Sequence, residues 1–378
     1  MNAEYKDRVE HWIRTLRDDF YEPLGEIHFA AHTTMEQVPP ADAGNLDYTP
    51  VEPGWKWGKT YEYCWLRGEI VLPQEAEGKR IVLDLRPGYE SCVFVNGREF
   101  GTVRNSWVTT RHHYLVDNVI TSDAKSGEKF EILLETYAGQ YYPEAPSLDN
   151  ATGPVLPGSY QNPVPEGERV TLGRSTFGIW NEEAYQLYLD VTTLRSLWKT
   201  LDETSLRAAK IEEGLEEFTR IVDFEQERAL RIRDYRKARE ALKPLLEAHN
   251  GSTRPTFYAV GNAHIDLAWL WPVRETERKA ERTFAAQLRH LEEYPEYRFL
   301  QSQPALYEMC RKCYPDLFRK IKEAAREGRW IPEGAMWVEP DTNLPSGESL
   351  VRQLLYGKAY FRKEFGVDSE ILWLPDSF

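Results

Sequence analysis

Phe257-Tyr258-Ala259-Val260-Gly261-Asn262-Ala263-His264-Ile265-Asp266 is the stretch whose reading decides the fold. A short apolar run ends abruptly in a glycine and a group of polar side chains. That is the pattern of a buried strand whose carboxyl end opens onto a site. Downstream, Glu275–Glu293 reads as a helix, Arg298–Leu300 as a strand and Ala305–Arg326 as a helix interrupted at Pro315. Trp330–Met336 reads as a strand, Gly347–Phe365 as a helix and Glu370–Leu374 as a final strand. Strands alternating with helices predict a parallel sheet built from βαβ units, here three units and a fourth strand. Such folds gather ligands at the carboxyl ends of their strands. Two polar clusters stand at such ends: Gly261–Asp266 after the first strand and Pro375-Asp376 after the fourth.

In an extended segment His264 and Asp266, two residues apart, point the same way. An imidazole and a carboxylate on one side can grip one divalent cation, with Asp376 approaching from another strand end as a third ligand. Mixed nitrogen and oxygen ligation favours zinc or a similar first-row metal over calcium or magnesium. Trp269 and Trp271 follow directly. Their faces suit the apolar faces of pyranose rings, but two tryptophans beside a strand also suit core packing. The residues alone leave both readings open.

Upstream the rhythm differs. Residues 4–20 read as an amphipathic helix, with Val9, Trp12, Ile13, Leu16 and Phe20 near helical spacing. A connector over 35–54 follows. From 55 to 190 the chain runs in short alternating stretches: Tyr61–Val71, Arg80–Leu85, Cys92–Val95, Lys129–Thr136 and Ala184–Val191. Asn96-Gly97 is a strong hairpin signal, and the Pro/Gly-rich Tyr142–Gly173 reads as a long loop. Together these predict an antiparallel β-sandwich. Residues 193–249 turn helical and highly charged, with Ile211, Leu215, Phe218 and Val222 along one stripe. Asp202-Glu203-Thr204-Ser205, rich in capping residues, divides them into packed helices that act as a spacer. The expected organisation is a helix and connector over 1–54, a sandwich over 55–192, a helical spacer over 193–250 and an α/β region over 251–378.

Lys and Arg number 47 against 61 Asp and Glu, a net charge of −14 over 378 residues. That balance excludes a sequence-independent nucleic-acid binder and an acidic-membrane binder, which need positive surfaces. It suits a neutral ligand. No apolar run approaches the ~20 residues that span a bilayer, and the first residues are charged rather than signal-like. Four cysteines are too few for a disulfide scaffold, so a cytoplasmic protein is expected. The sequons at Asn150 and Asn250 carry little weight without an export signal. Cys310 and Cys313 lie mid-helix and read as separate thiols, His112-His113 as a solvent or hairpin pair, and Arg319–Lys322 as a solvated helix face.

Asn262-Ala263-His264-Ile265-Asp266-Leu267-Ala268-Trp269-Leu270-Trp271-Pro272 resembles the opening metal motif of the glycoside hydrolase family 38 α-mannosidases. Met336–Arg352 and Leu372–Phe378 resemble two later motifs, in the family's order. The sandwich and helices before them are similar to the cytosolic and bacterial branch. The resemblance implies a (β/α)7-type glycoside hydrolase/deacetylase barrel and a metal-dependent, retaining hydrolysis of terminal α-mannosides. It makes His264, Asp266 and Asp376 metal ligands, Asp376 also the nucleophile, and Trp269 a contact for bound mannose. Zinc is the expected metal, with cobalt an alternative, and a mannose-containing glycan the expected partner. A homo-oligomer is compatible. In the family the acid/base aspartate and a fourth ligand, a histidine, lie beyond the nucleophile motif. The sequence is therefore read as an N-terminal portion with only the first part of the barrel and little turnover alone. Asp341 and Glu339 are expected to shape the substrate rim or its loop, and Trp337 to pack. The alternatives are a non-catalytic carbohydrate-binding or interaction fragment and a metal-dependent polysaccharide deacetylase. The latter's paired-aspartate and His-x-x-x-His arrangement is missing, since no histidine follows His290.

Overall fold

The structure is a computed structural model that describes residues 3–103, 118–139, 170–249, 251, 253–269 and 271–376. Its N-terminal helix α1 (Ala3–Leu16) leads into twelve strands of the first part. These are β1 (Tyr21–Ile27), β2 (Phe29–Thr34), β3 (Thr49–Val51), β4 (Lys56–Trp57), β5 (Tyr63–Val71) and β6 (Ile81–Asp84). They continue with β7 (Ser91–Val95), β8 (Arg98–Val103), β9 (Val119–Thr121), β10 (Lys129–Tyr137), β11 (Val170–Thr171) and β12 (Ser175–Trp180). Two large antiparallel sheets result, ordered β3-β2-β5-β10-β7-β8 and β1-β12-β6-β9, and β4 pairs with β11 in a small third one. β10 lies against β5 from Lys129↔Val71 to Tyr137↔Tyr63. The β7–β8 turn places Asn96 at φ 51° and Gly97 at φ 72°, the left-handed pair that a two-residue hairpin needs. Leu66, Ile70, Leu83, Val93, Ile132, Leu134 and Phe177 fill the space between the sheets.

The expected sandwich is present, but its strands begin at Tyr21 rather than near residue 55. Ala184–Val191, read as a strand, lies instead in helix α2 (Glu182–Thr200). Asn181 caps that helix by accepting the Ala184 amide, and Ala184, Leu187, Val191 and Leu194 are buried at helical spacing. A window of eight residues was too short to distinguish the two periods. Helices α3 (Leu206–Ile221) and α4 (Arg228–Leu246) follow, with the break at 202–205 and Ser205 capping α3. All three pack with α1 around Val9, Leu16, Leu187, Ile211, Leu215, Phe218 and Leu242.

The last part is α/β. β13 (Gly261–Asn262), helix α5 (Val273–Glu293), β14 (Phe299–Gln301), α6 (Pro304–Cys313), α7 (Pro315–Arg326), β15 (Trp330–Pro332) and α8 (Gly347–Phe365) follow in order. The sheet is parallel, ordered β13-β14-β15. Pro315 divides α6 from α7 as the sequence predicts. Two expected strands are corrected. Phe257–Val260 is not a buried strand, for Phe257 and Tyr258 are 89% and 94% exposed. Glu370–Leu374 forms no fourth strand either, and Ile371 and Leu372 are exposed. Apolar runs become buried parallel strands only where both faces are covered, and these two lack that cover. No closed barrel is formed among the described residues.

Helix α5 joins the two parts. It carries buried charges whose partners sit on the sandwich: Arg278–Glu135 at 2.6 Å, Lys279–Glu90 at 2.7 Å and Arg282–Glu90 at 2.6 Å. Arg282 also pairs with Glu275 at 3.0 Å, and the Tyr63 hydroxyl donates to Glu275. Beside them Glu281 is fully buried, and neither of its carboxyl oxygens has a hydrogen-bond partner among the described residues. Burial pushes its pKa up to about 8.

The four cysteines are free thiols, Cys313 alone being exposed. No helix among the described residues is long and apolar enough to cross a membrane. Asn150, Asn250, His112, His113 and nearly all of the loop expected over 142–173 lie outside the described residues.

Candidate metal centre

Three strand ends of the parallel sheet converge on His264. The segment after β13 carries His264 and Asp266, and the imidazole Nε2 lies 3.2 Å from Asp266 Oδ1. Asp376 Oδ2 approaches the same nitrogen at 3.4 Å from the far end of the 369–376 segment. One donor atom from each residue can be chosen so that all lie within 4.8 Å of one another. The side chains of Asp266 and Asp376 are 35% and 55% exposed, so the cluster opens to solvent.

Behind the ring stands Glu339, after β15, with its side chain only 3% exposed and one oxygen on His264 Nδ1. The Ser302 hydroxyl donates to the other oxygen of Glu339. Gln303, next after Ser302, accepts the Glu339 amide at 3.3 Å and donates to the Ile265 carbonyl at 2.8 Å. Ser302 sits close to the chain after β15 because residue 334 is glycine: a Cβ there would meet Ser302 Cβ at 2.4 Å. The ring is therefore fixed from behind, with Nε2 turned toward the two open carboxylates.

This arrangement has a clear electrostatic sense. Hydrogen bonds donated to the carboxylates of Asp266 and Glu339 push the His264 pKa up to about 10, so without a cation the ring holds a proton. A divalent cation at Nε2 replaces that proton against the same carboxylates. One nitrogen, two carboxylates and a buried acid on the second ring nitrogen fit a first-row divalent ion, because a carboxylate behind a ligating imidazole fixes its tautomer and raises its basicity.

Trp269 follows Asp266 by three residues, 52% exposed, with its ring edge-on to Trp271 at 5.8 Å. Trp271 is held: its indole donates to Thr276 at 3.2 Å and the Lys279 ammonium lies 4.0 Å from its ring centre. Trp337 is half-buried and packs on Tyr360 at 5.7 Å. Asp341 is exposed and accepts the Asn343 amide. The structure thus brings His264, Asp266 and Asp376 together and leaves Asp341 in its own turn. Glu339 departs from the expected rim role. Its place at the third strand end, level with the other two polar clusters, was the available signal.

Residues 254–378 match the family model described as "Glycosyl hydrolases family 38 N-terminal domain". These residues belong to the N-terminal domain of glycoside hydrolase family 38. Residues 24–151 match a second family model, "Alpha-mannosidase, jelly roll domain", which takes in the sandwich strands β2 to β10. Among curated relatives, alpha-mannosidase G of Dictyostelium discoideum is 31% identical over 91% of this chain and 30% of its own. Alpha-mannosidase 2C1 of Homo sapiens is 29% identical over 98% of this chain and 35% of its own. The chain thus spans about a third of the length of the curated relatives it matches. Among solved structures, a β-glucuronidase from Ruminococcus gnavus with bound D-glucuronic acid aligns over 43% of this chain and 29% of its own, at 14% identity. Its TM-score of 0.27 carries no argument.

Proposed function

We propose that this chain forms the metal-holding part of a retaining α-mannosidase acting on terminal α-mannosides of glycans. The observation that carries the reading is the convergence of His264, Asp266 and Asp376 within 4.8 Å. A bound cation, zinc by the chemistry of the donors, supplies a Lewis-acid template for sugar hydroxyls. Within this reading Asp376 attacks the anomeric carbon as that carbon's bond to the aglycone oxygen breaks and the oxygen takes up a proton, giving a glycosyl ester on the carboxylate that water later hydrolyses. Asp266 and His264 hold the ion, Glu339 holds His264, and the exposed face of Trp269 receives the ring of the sugar.

Retaining hydrolysis also needs a carboxyl ~5–5.5 Å from the nucleophile to protonate the leaving oxygen. The carboxylates described around His264, besides Asp376, are Asp266 and Glu339, and both are bound to the imidazole. Residues 1–378 as a polypeptide are therefore expected to bind metal and sugar with little turnover. Hydrolysis of an aryl α-mannoside in Zn²⁺ or Co²⁺ tests this. Brisk metal-dependent turnover, lost in Asp376→Ala, would refute the expected inactivity while supporting the assigned nucleophile. Absence of metal binding by calorimetry would refute the centre itself. The free cysteines fit a reducing compartment such as the cytoplasm.

A second reading, carbohydrate binding by the sandwich, is favoured by one observation. A groove of about 550 Å³ beside β2 and β3 is lined by His32, Asp47, Glu52 and Trp55. Calorimetry with mannose oligosaccharides on the Asp376→Ala chain, with and without Trp55→Ala, separates the two sites. No heat in Asp376→Ala with Trp55 intact removes this reading.

A further inference from the structure

The segment that delivers Asp376 is not a paired strand, and the structure has to hold it by other means. One carboxylate oxygen of Glu333, immediately after β15, accepts three donors from it. They are the Ser369 hydroxyl, the Glu370 amide at 2.9 Å and the Ile371 amide at 2.9 Å. Ser369 is 1% exposed, and its hydroxyl oxygen in turn accepts the amides of Gly334 at 3.1 Å and Ala335 at 2.9 Å. The Trp373 amide reaches the Gly334 carbonyl at 3.3 Å, three residues before Asp376. From the other side Lys358 of α8 donates to the Ser369 carbonyl.

We infer that Glu333 is a positioning residue for Asp376: its carboxylate stands in for a neighbouring strand's carbonyls and sets where the 369–376 segment ends. The inference rests on the proposed metal reading for its functional meaning, but the tether itself is independent of any ion. In an ordinary parallel ladder, only alternate amides of one strand face a given neighbour, and its carbonyls receive them one each. Here the successive amides of Glu370 and Ile371 meet one side-chain oxygen, so this stretch, five residues upstream of Asp376, hangs on Glu333. The Trp373 amide is held separately by the Gly334 carbonyl. Removing that acceptor frees the segment while leaving His264, Asp266 and Asp376 chemically intact. Glutamine retains the carbonyl-type Oε1 at the same reach, so Glu333→Gln keeps the tether and separates loss of the acceptor from loss of the charge.

The test uses the full chain and two readouts, Co²⁺ binding followed by its visible d–d absorption and amide hydrogen exchange of the metal-free protein. In Glu333→Ala the amides of Glu370 and Ile371 should lose protection while those of α8 keep theirs. Co²⁺ affinity should fall by at least about ten-fold, as for loss of other groups that orient ligands, with altered band intensity. Glu333→Gln should restore both. Unchanged protection at Glu370 and Ile371, or wild-type Co²⁺ affinity and spectrum in Glu333→Ala, overturns the inference. Failure of the wild-type chain to bind Co²⁺ refutes the metal reading instead, and the exchange data then decide the tether. Should Glu333→Ala unfold α8, Ser369→Ala, which removes only the bridging hydroxyl, decides by the same exchange measurement.

Discussion

His264 is where the chemistry concentrates, and its neighbours divide the work. Asp266 and Asp376 face the open side of the ring, whereas Glu339 is sealed behind it. Replacing Glu339 by Gln leaves the ligands in place but weakens their orientation, and Zn²⁺ affinity should fall about 10–100-fold by calorimetry. An unchanged affinity would show that Glu339 is only a buried packing group. The spacing of His264 and Asp266 was legible in the sequence because side chains two apart share a face in extended chain. Glu339 was misread because its partner lies 75 positions upstream, and a contact of that kind leaves no local period. A second residue, Glu281, makes a stability prediction. Its carboxyl titrates near 4.5 when unfolded and about 8 when folded, so the folded chain binds the extra proton between those values. Stability should therefore decline as pH rises from about 4.5 to about 8, then level off. Chemical denaturation of Glu281→Gln should show a smaller decline, with the variant's advantage widest above pH 8.

At the scale of elements, α5 decides how the two parts meet. Its buried pair Arg278–Glu135 has side chains 7% and 1% exposed. Arg278→Met should destabilise the chain by about 3–5 kcal/mol, because it leaves the buried Glu135 carboxyl without its partner. Adding Glu135→Leu should recover most of that loss in denaturant titrations. A double variant no more stable than the single one would argue against the pair. The sequence disclosed α5 as a helix but not as a buried one. Its charges resemble a solvated face until the acids of β7's approach and β10 are seen opposite. The reverse error occurred at Phe257–Val260 and Glu370–Leu374. Both have a buried strand's composition, yet composition cannot supply the covering neighbours. Helix α8 and the Pro315 break were fully legible, since capping and proline act within one turn.

Taken as a whole, the molecule is a jelly-roll sandwich and a helical bundle carrying a three-stranded parallel sheet. The candidate centre ties all three strand ends of that sheet together, so cation binding should stabilise the α/β part more than the sandwich. A free ion at 1,000 times its dissociation constant adds about 4.1 kcal/mol. Scanning calorimetry should show one transition shifting upward with Zn²⁺ and returning with EDTA, whereas in Asp376→Ala the shift should shrink. Equal shifts in both proteins would place the ion elsewhere.

The clamp between Lys279 and Trp271 has a consequence for anyone building chimaeras. Glu90 of the sandwich holds Lys279, and Lys279 covers the ring that props Trp269. The sandwich is thus no interchangeable cassette. An α/β part transplanted behind a foreign jelly roll would inherit its Trp269–Trp271 pair unbraced unless an acid at the place of Glu90 travelled with it.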